Sequence, residues 1–176
     1  MNDNIIMEEN KLSERQKKVV DKLNELGIPF KLIFHPALPT IEDALNYWGK
    51  FEWTHCKNLF FRNHKGNRHY LVIYDCMHQL AIHDLEHRLK QGKLSFASEA
   101  RMDKYLGLKP GSVSPFGIIN DEEHHVYLYL DKNLLDREYI SFHPNDNTGT
   151  CVIKTTDLVK FMDAMLSDEW QKILNW

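Results

Sequence analysis

The chain has 176 residues, 43% of them hydrophobic and 27% charged, with a formal net charge of -3. That length suits one domain able to bury a core without staples, and the composition is that of an ordinary globular protein. The acidic balance argues against a protein that coats nucleic acid nonspecifically, though not against one that grips a single RNA end, and no apolar run approaches the roughly 20 residues that cross a bilayer. The N-terminal stretch "MNDNIIMEENKLSERQ" is polar and acidic. No signal peptide is expected there, and residues 1–12 are expected to be a disordered tail ahead of one domain over 13–176.

"SERQKKVVDKLNELG" predicts the first helix. Ser13 and Gln16 have capping-box spacing, Val19, Val20, Leu23 and Leu26 share a face, and Gly27 supplies the left-handed stop. "PFKLIFH" alternates, which predicts a strand with Phe30, Leu32 and Phe34 on one side. "TIEDALNYW" predicts a second helix capped by Thr40. "KNLFFRN" and "RHYLVIYD" predict strands joined by a turn at Lys65-Gly66, flanked by Asn63 and Asn67. Lys57 stands at the entry to the first of these strands, where a charge faces water or a ligand at a sheet end. "HDLEHRLKQ" and "SEARMDKYLGL" predict two short helices, the second capped by Ser98 and ended near Gly107. "KPGSVSPFG" reads as a loop. "HVYLYLD", "YISFHP" and "TCVIKT" predict strands, the last two separated by the turn-rich "NDNTG". "TDLVKFMDAML" predicts an amphipathic helix with Leu158, Phe161, Met162, Met165 and Leu166 inward. Strands and helices are interspersed without strict alternation, and one hairpin is antiparallel. The expected fold is therefore a single layered α/β domain, a mixed, partly antiparallel central sheet with packed helices.

Several segments carry possible chemistry. "HDLEH", residues 83–87, matches an inverted zinc-peptidase pattern, with His83 and His87 at i and i+4. The same segment has a structural role, because Ile82, Leu85 and Leu89 form a buried stripe that leaves the histidines toward solvent, and this reading is preferred. Cys56 lies beside His55, but neighbours along a strand point to opposite faces, so the pair is a weak nucleophile candidate. Cys56, Cys76 and Cys151 are an odd set without CxxC spacing, so a disulfide framework is not expected and a cytoplasmic location is. Lys57, Arg62, Lys65 and Arg68 cluster as a basic patch or as a solvated hairpin tip. "GSVSPFG", residues 111–117, is either a plain connection or a loop whose backbone N–H groups hold a developing oxyanion. His143, at a strand end before a polar turn, is either a solvent-facing histidine or a group on a pocket rim.

Four of these segments, in order, resemble the YbaK/prolyl-tRNA synthetase-associated editing domain family, and within it the free-standing PrdX/ProX-type deacylases. "HPALPTIEDA" resembles the family's H-P-x-x-x-T-x-E-x-A segment. "KNLFFRNHKGNRHYLVI" resembles its Lys-Asn-Leu-Phe hairpin. The run from "KLSF" through "LGLKPGSVSPFG" resembles its glycine-loop segment, and "FHPNDNTGT" its H-P-x-x-N-T-x-T segment, with Gly149 where alanine is usual. The resemblance covers residues 13 to 166. It implies a hydrolase that removes a wrongly attached amino acid from tRNA(Pro), with Ala-tRNA(Pro) as the expected substrate, Cys-tRNA(Pro) as the alternative, and prolyl-tRNA synthetase as a candidate partner. It implies no cofactor or metal, and a DNA or membrane partner is not expected. It makes Lys57 the essential lysine that holds the tRNA end, with Gly111 and His143 beside it in the catalytic set. Asn58, Ser112, Val113, Ser114, Pro115 and Asn147 become substrate-binding residues. The general base stays open: His143 is assigned to positioning the substrate, and the substrate's own ribose hydroxyl is the alternative activator of the water. A tRNA-binding module of the same fold without turnover is the rival reading. Loss of Lys57 or of the glycine loop would mark it, and both are present.

Overall fold

The structure, a computed structural model, describes residues 12–37 and 53–175. Helix α1 runs Glu14–Glu25 with the full capping box between Ser13 and Gln16. It ends in a Schellman motif, in which Gly27 N–H donates to Asn24 O and Ile28 N–H to Leu23 O, with Gly27 at φ +66. The helix expected over "TIEDALNYW", and the expected N-terminal tail up to residue 11, lie outside the described residues.

The strands are β1 (Lys31–Phe34), β2 (Thr54–Arg62), β3 (His69–Asp75), β4 (Ser95–Phe96), β5 (Val126–Asp131), β6 (Tyr139–Phe142), β7 (Gly149–Lys154) and β8 (Gln171–Leu174). They form one sheet in the order β1-β7-β6-β2-β3-β5-β8, with β4 added beside β2. The β2–β3 and β6–β7 pairs are antiparallel. The β2–β6, β3–β5 and β5–β8 pairs are parallel. The sheet is therefore mixed, as the sequence predicts. Among the described residues three α-helices follow α1: α2 (Ile82–Leu89), α3 (Glu99–Leu106) and α4 (Thr155–Met165). The expected loop after Gly111 tightens at Pro115 into a 3-10 helix, Pro115–Asn120, because Ser114 Oγ accepts from Phe116 N–H and proline suits the first turn.

Alternation along β2 divides the molecule. Cys56 and Phe60 join the main core with Leu71, Ile73, Leu128, Ile140 and Phe142, under α1 and α4. Leu59 and Phe61 face the other way, onto a second cluster with Tyr70, Val72, Leu85 of α2 and Leu174. As expected, Leu85 is buried and Ile82 and Leu89 pack beside it, while His83 stands out with its side chain 98% exposed.

The β2–β3 turn is held by more than its glycine. Asn63, nearly fully buried, accepts from the N–H groups of Asn67 and Arg68 through Oδ1. Arg62 donates to the carbonyls of Asn63 and His64, so this cation of the basic cluster braces the turn. Arg101 of α3 donates to Gly66 O at 2.7 Å and to His69 Nε2 at 3.0 Å. Burial, then the Arg101 charge, pushes the His69 pKa from 6.5 down to about 4. His55 is likewise lowered to about 4, by burial and then by its histidine neighbours. An unfolded chain takes up protons at both positions as pH falls below 6.5, while the native chain resists until near 4. Native stability is therefore full above that window and lost on acidification through it. Thermal unfolding followed between about pH 7 and pH 4 should show a falling midpoint, with a shallower fall in His69→Gln. An equal fall in that variant would contradict the role given to His69.

Candidate active site

The parallel contact between β2 and β6 is short, pairing only Thr54 with Ile140 and His55 with Ser141. Beyond it the two strands part. Carried two residues further, the same register would set Lys57 level with His143. Among the described strands, β2 regains a partner on this edge at Phe61, where β4 joins. Lys57, His55 and the residues that follow β6 lie along this split in the sheet.

Lys57 is therefore not at the entry to a strand. β2 begins at Thr54, and Lys57 is its fourth residue, half-buried and paired with Tyr74. The sequence hides this because Thr54–Cys56 lack the apolar run that marks Leu59–Phe61. The side chain is close enough to Cys76 for its charge to pull that thiol's pKa down, although burial and Asp75 prevail and the net shift is upward.

The face of Lys57 also carries three imidazoles. His55 lies two residues before it and its Nδ1 is 3.0 Å from Ser141 Oγ. His143 follows β6, with its ring centroid 6.1 Å from that of His35. The geometry assigns protons to two of the rings. His143 Nδ1 is 2.9 Å from Gly149 O, which only accepts, so Nδ1 carries the hydrogen and Nε2 keeps a lone pair. His35 Nδ1 likewise donates to Pro36 O at 2.8 Å, and its Nε2 is hydrogen-bonded with Thr150 Oγ1 at 2.7 Å. Burial lowers the His143 pKa, only partly opposed by the Gly149 carbonyl. His143 is thus a neutral acceptor at pH 7. His35 and His55 were not chosen as site residues from sequence. His35 offered one signal, its place directly before Pro36 at a strand end, but its nearness to His143 comes from β1–β7 pairing across the chain.

Asn58 lies on the opposite face from Lys57 by alternation. Its Nδ2 donates to Cys56 O at 3.4 Å, and its Oδ1 is buried with no hydrogen-bond partner among the described residues. The glycine loop approaches the turn after β6. A Cβ on Gly111 would sit 3.5 Å from Asn147 Nδ2, and the φ of +83 at Gly111 disfavours any side chain. Asn145, at φ +60, donates from Nδ2 to Phe116 O at 3.2 Å. These contacts join residues 111–117 to residues 143–149. Within the loop Gly111 is exposed and Val113 half-buried, whereas Ser112, Ser114 and Pro115 are buried. Ser112 N–H donates to Lys109 O, and Ser114 Oγ caps the 3-10 helix. Gly149 leaves room for Gln16: a Cβ there would meet Gln16 Nε2 at 3.1 Å, and that amide donates to Thr148 Oγ1.

Cys56 is buried beside this site, and burial followed by Asp75 pushes its thiol pKa well up, which opposes a nucleophilic thiolate. Among the described residues no group of three His, Cys, Asp or Glu side chains is arranged to hold a metal ion. His83 instead pairs with Glu86 at 3.2 Å, and Arg88 with Asp84 at 2.9 Å.

A cation and imidazole acceptors on one sheet face, with a glycine loop held against the turn that follows β6, are groups that can hold an ester. The family profile for the aminoacyl-tRNA editing domain matches residues 35–161, and the chain belongs to that family. The aminoacyl-tRNA deacylase expected from the sequence is the enzyme class this family defines. The chain is 42% identical over 151 residues to the prolyl-tRNA editing protein ProX of Acetoanaerobium sticklandii, covering 86% of this chain and 92% of that protein. It is 29% identical over 156 residues to prolyl-tRNA synthetase associated domain-containing protein 1 of Mus musculus, covering 86% and 92% respectively. A solved structure assigned as a trans-editing enzyme for prolyl tRNA synthetase shares the fold, with a TM-score of 0.70 at 23% identity over 89% of this chain and 97% of that one. No described helix is long and apolar enough to cross a membrane.

Proposed function

We propose that this protein is a free-standing deacylase of mischarged tRNA(Pro), and that alanine is the amino acid it removes. It would act in the cytoplasm, on errors made by prolyl-tRNA synthetase. The observation that carries the reading is the single sheet face, at the β2–β6 split, that holds Lys57 together with imidazoles kept neutral by burial. Lys57 supplies a compact charge for a phosphate or for the terminal adenosine. His143 Nε2 offers a fixed acceptor for a hydroxyl or ammonium of the substrate. Gly111, which leaves the backbone bare, and Val113 present the loop to the ester carbonyl, where N–H donors stabilise charge as it develops. Ser112, Ser114 and Pro115 shape the loop from beneath, and Asn147 steadies it at Gly111. Among the described residues no Asp or Glu side chain belongs to this set, and this reading gives water activation to the substrate's ribose hydroxyl. The similarity to ProX supports tRNA(Pro) as the substrate.

Prolyl-tRNA synthetase cannot fully reject amino acids that fit inside a proline-sized pocket, since a few missing methylenes cost only about 1–3 kcal/mol of discrimination. A correcting site has to accept alanine and refuse proline. Deacylation of alanyl-, cysteinyl- and prolyl-tRNA(Pro) tests this. Alanyl-tRNA(Pro) should turn over about 100-fold faster than prolyl-tRNA(Pro), with the cysteinyl form slower than the alanyl. Comparable turnover of the prolyl form would sink the proposal, and a preference for cysteine would change the substrate.

A further inference from the structure

We infer that Phe96 is a stacking platform for an unpaired base of the tRNA 3′ strand, upstream of the terminal adenosine. This rests on the deacylase reading above and adds a binding residue to it. Phe96 lies on β4, opposite Phe61 of β2, and the two rings stack with centroids 4.9 Å apart and planes 22° apart. One face of the Phe96 ring is thus covered by Phe61. The residue is nevertheless 63% exposed, which leaves its other face to solvent. A large apolar ring in that position gains little for folding, but an aromatic ring with one face backed and one face open is what a splayed base stacks on.

Placement relative to the site fixes which base it takes. Phe61 and Lys57 are on the same face of β2, four residues apart. At strand rise that is about 13 Å, too far for Phe96 to touch an adenosine held at Lys57 and within the reach of the nucleotides just before it. Between the two points, among the described residues, β2 has no partner strand on its outer edge from Lys57 to Leu59. The surroundings of Phe96 carry the matching charge. Lys90 and Lys93 are exposed in the turn that leads from α2 to β4. Lys65 is exposed on the β2–β3 turn, which docks on the same segment through His64 N–H donating to Gln91 O at 3.3 Å. An aromatic platform flanked by three lysines fits the bases and phosphates of a single strand, and it does so within a chain whose net charge is -3.

Deacylation kinetics on Phe96→Ala, Phe96→Leu and Phe96→Trp test the inference, with mischarged tRNA(Pro) and with the matching aminoacyl-adenosine as substrates. Alanine should raise KM for the tRNA about tenfold, the scale of one base–aromatic stack, and leave kcat within about twofold. Leucine should be nearly as poor as alanine and tryptophan close to the parent. None should change KM for aminoacyl-adenosine, which has no upstream base. Wild-type behaviour of the leucine variant would overturn the stacking role. An equal loss on aminoacyl-adenosine would overturn its assignment to an upstream base. A kcat loss with unchanged KM, or a fall in melting temperature that accounts for the loss, would make Phe96 structural. Binding of an uncharged RNA oligonucleotide with a single-stranded 3′ end, followed by fluorescence anisotropy, keeps the two proposals separate. If the parent protein deacylates none of the three tRNAs, the deacylase reading fails, and equal binding of parent and Phe96→Ala overturns the platform whether or not turnover is seen.

Discussion

Lys57→Ala should lower deacylation of mischarged tRNA(Pro) by about 100-fold while the protein stays folded. The loss follows from position. The ammonium lies on the sheet face that also bears His143, beside the strand split where the proposal places the acceptor end. Without it, the ester is no longer held against the loop and the imidazole, and misplacement of reacting groups costs about that much in rate. The stability cost should be small, because Lys57 is half-buried and lies outside both apolar clusters. A change within about 1 kcal/mol is expected for such a position. Lys57→Arg should recover little, since a planar fork does not replace a compact charge. Single-turnover deacylation and thermal unfolding of the same preparations decide the matter. An active Lys57→Ala protein would remove the lysine from the site and the proposed mechanism with it.

Phe60→Ala, three residues along the same strand, should do the reverse. Phe60 is 3% exposed, belongs to the main core and stacks on His69 at 5.6 Å. Truncating a buried phenylalanine costs about 3–5 kcal/mol through lost burial and the cavity left behind. Domains of this kind have about 5–15 kcal/mol in total, so the variant loses a large share of its margin. The loss should appear as a lower denaturation midpoint with an unchanged slope. Below that midpoint, the folded fraction should retain most of its turnover, because Phe60 points away from the face of Lys57. A midpoint shift under about 1 kcal/mol would mean that this core repacks freely.

Local chemistry was legible in the sequence and long-range pairing was not. The capping box at Ser13, the turn between Asn63 and Asn67 and the caps at Ser98 and Gly107 depend on neighbours along the chain, and they form as their residue types dictate. The buried stripes of α1, α2 and α4 follow from periodicity for the same reason. β4 and β8 were missed. β4 has two residues, and of β8's "QKIL" only Leu174 is buried, so neither shows an alternating pattern. The strand that holds Lys57 looked shorter than it is, because its first residues are fixed by β6, far away in sequence. The shared face of His35, His55 and His143 was hidden by the same cause. Four strands, β1, β7, β6 and β2, had to be placed side by side before three distant histidines became one group.

The strand order has a consequence for how the protein reaches its working form. Only β2–β3 and β6–β7 join strands that are consecutive along the sheet path and along the chain. The remaining joins bring Lys31 to Val152, Thr54 to Ile140, His69 to Val126 and Leu128 to Gln171. Closing such loops costs entropy before any contact repays it, so non-local pairings form slowly and late. The two hairpins can assemble early and separately, one bearing Lys57 and the other leading out of the turn that bears His143. Neither holds a site alone. Lys57 and His143 thus come onto one face only when the hairpins dock along two residue pairs, and a collapsed chain with both hairpins formed but undocked has not yet brought them together.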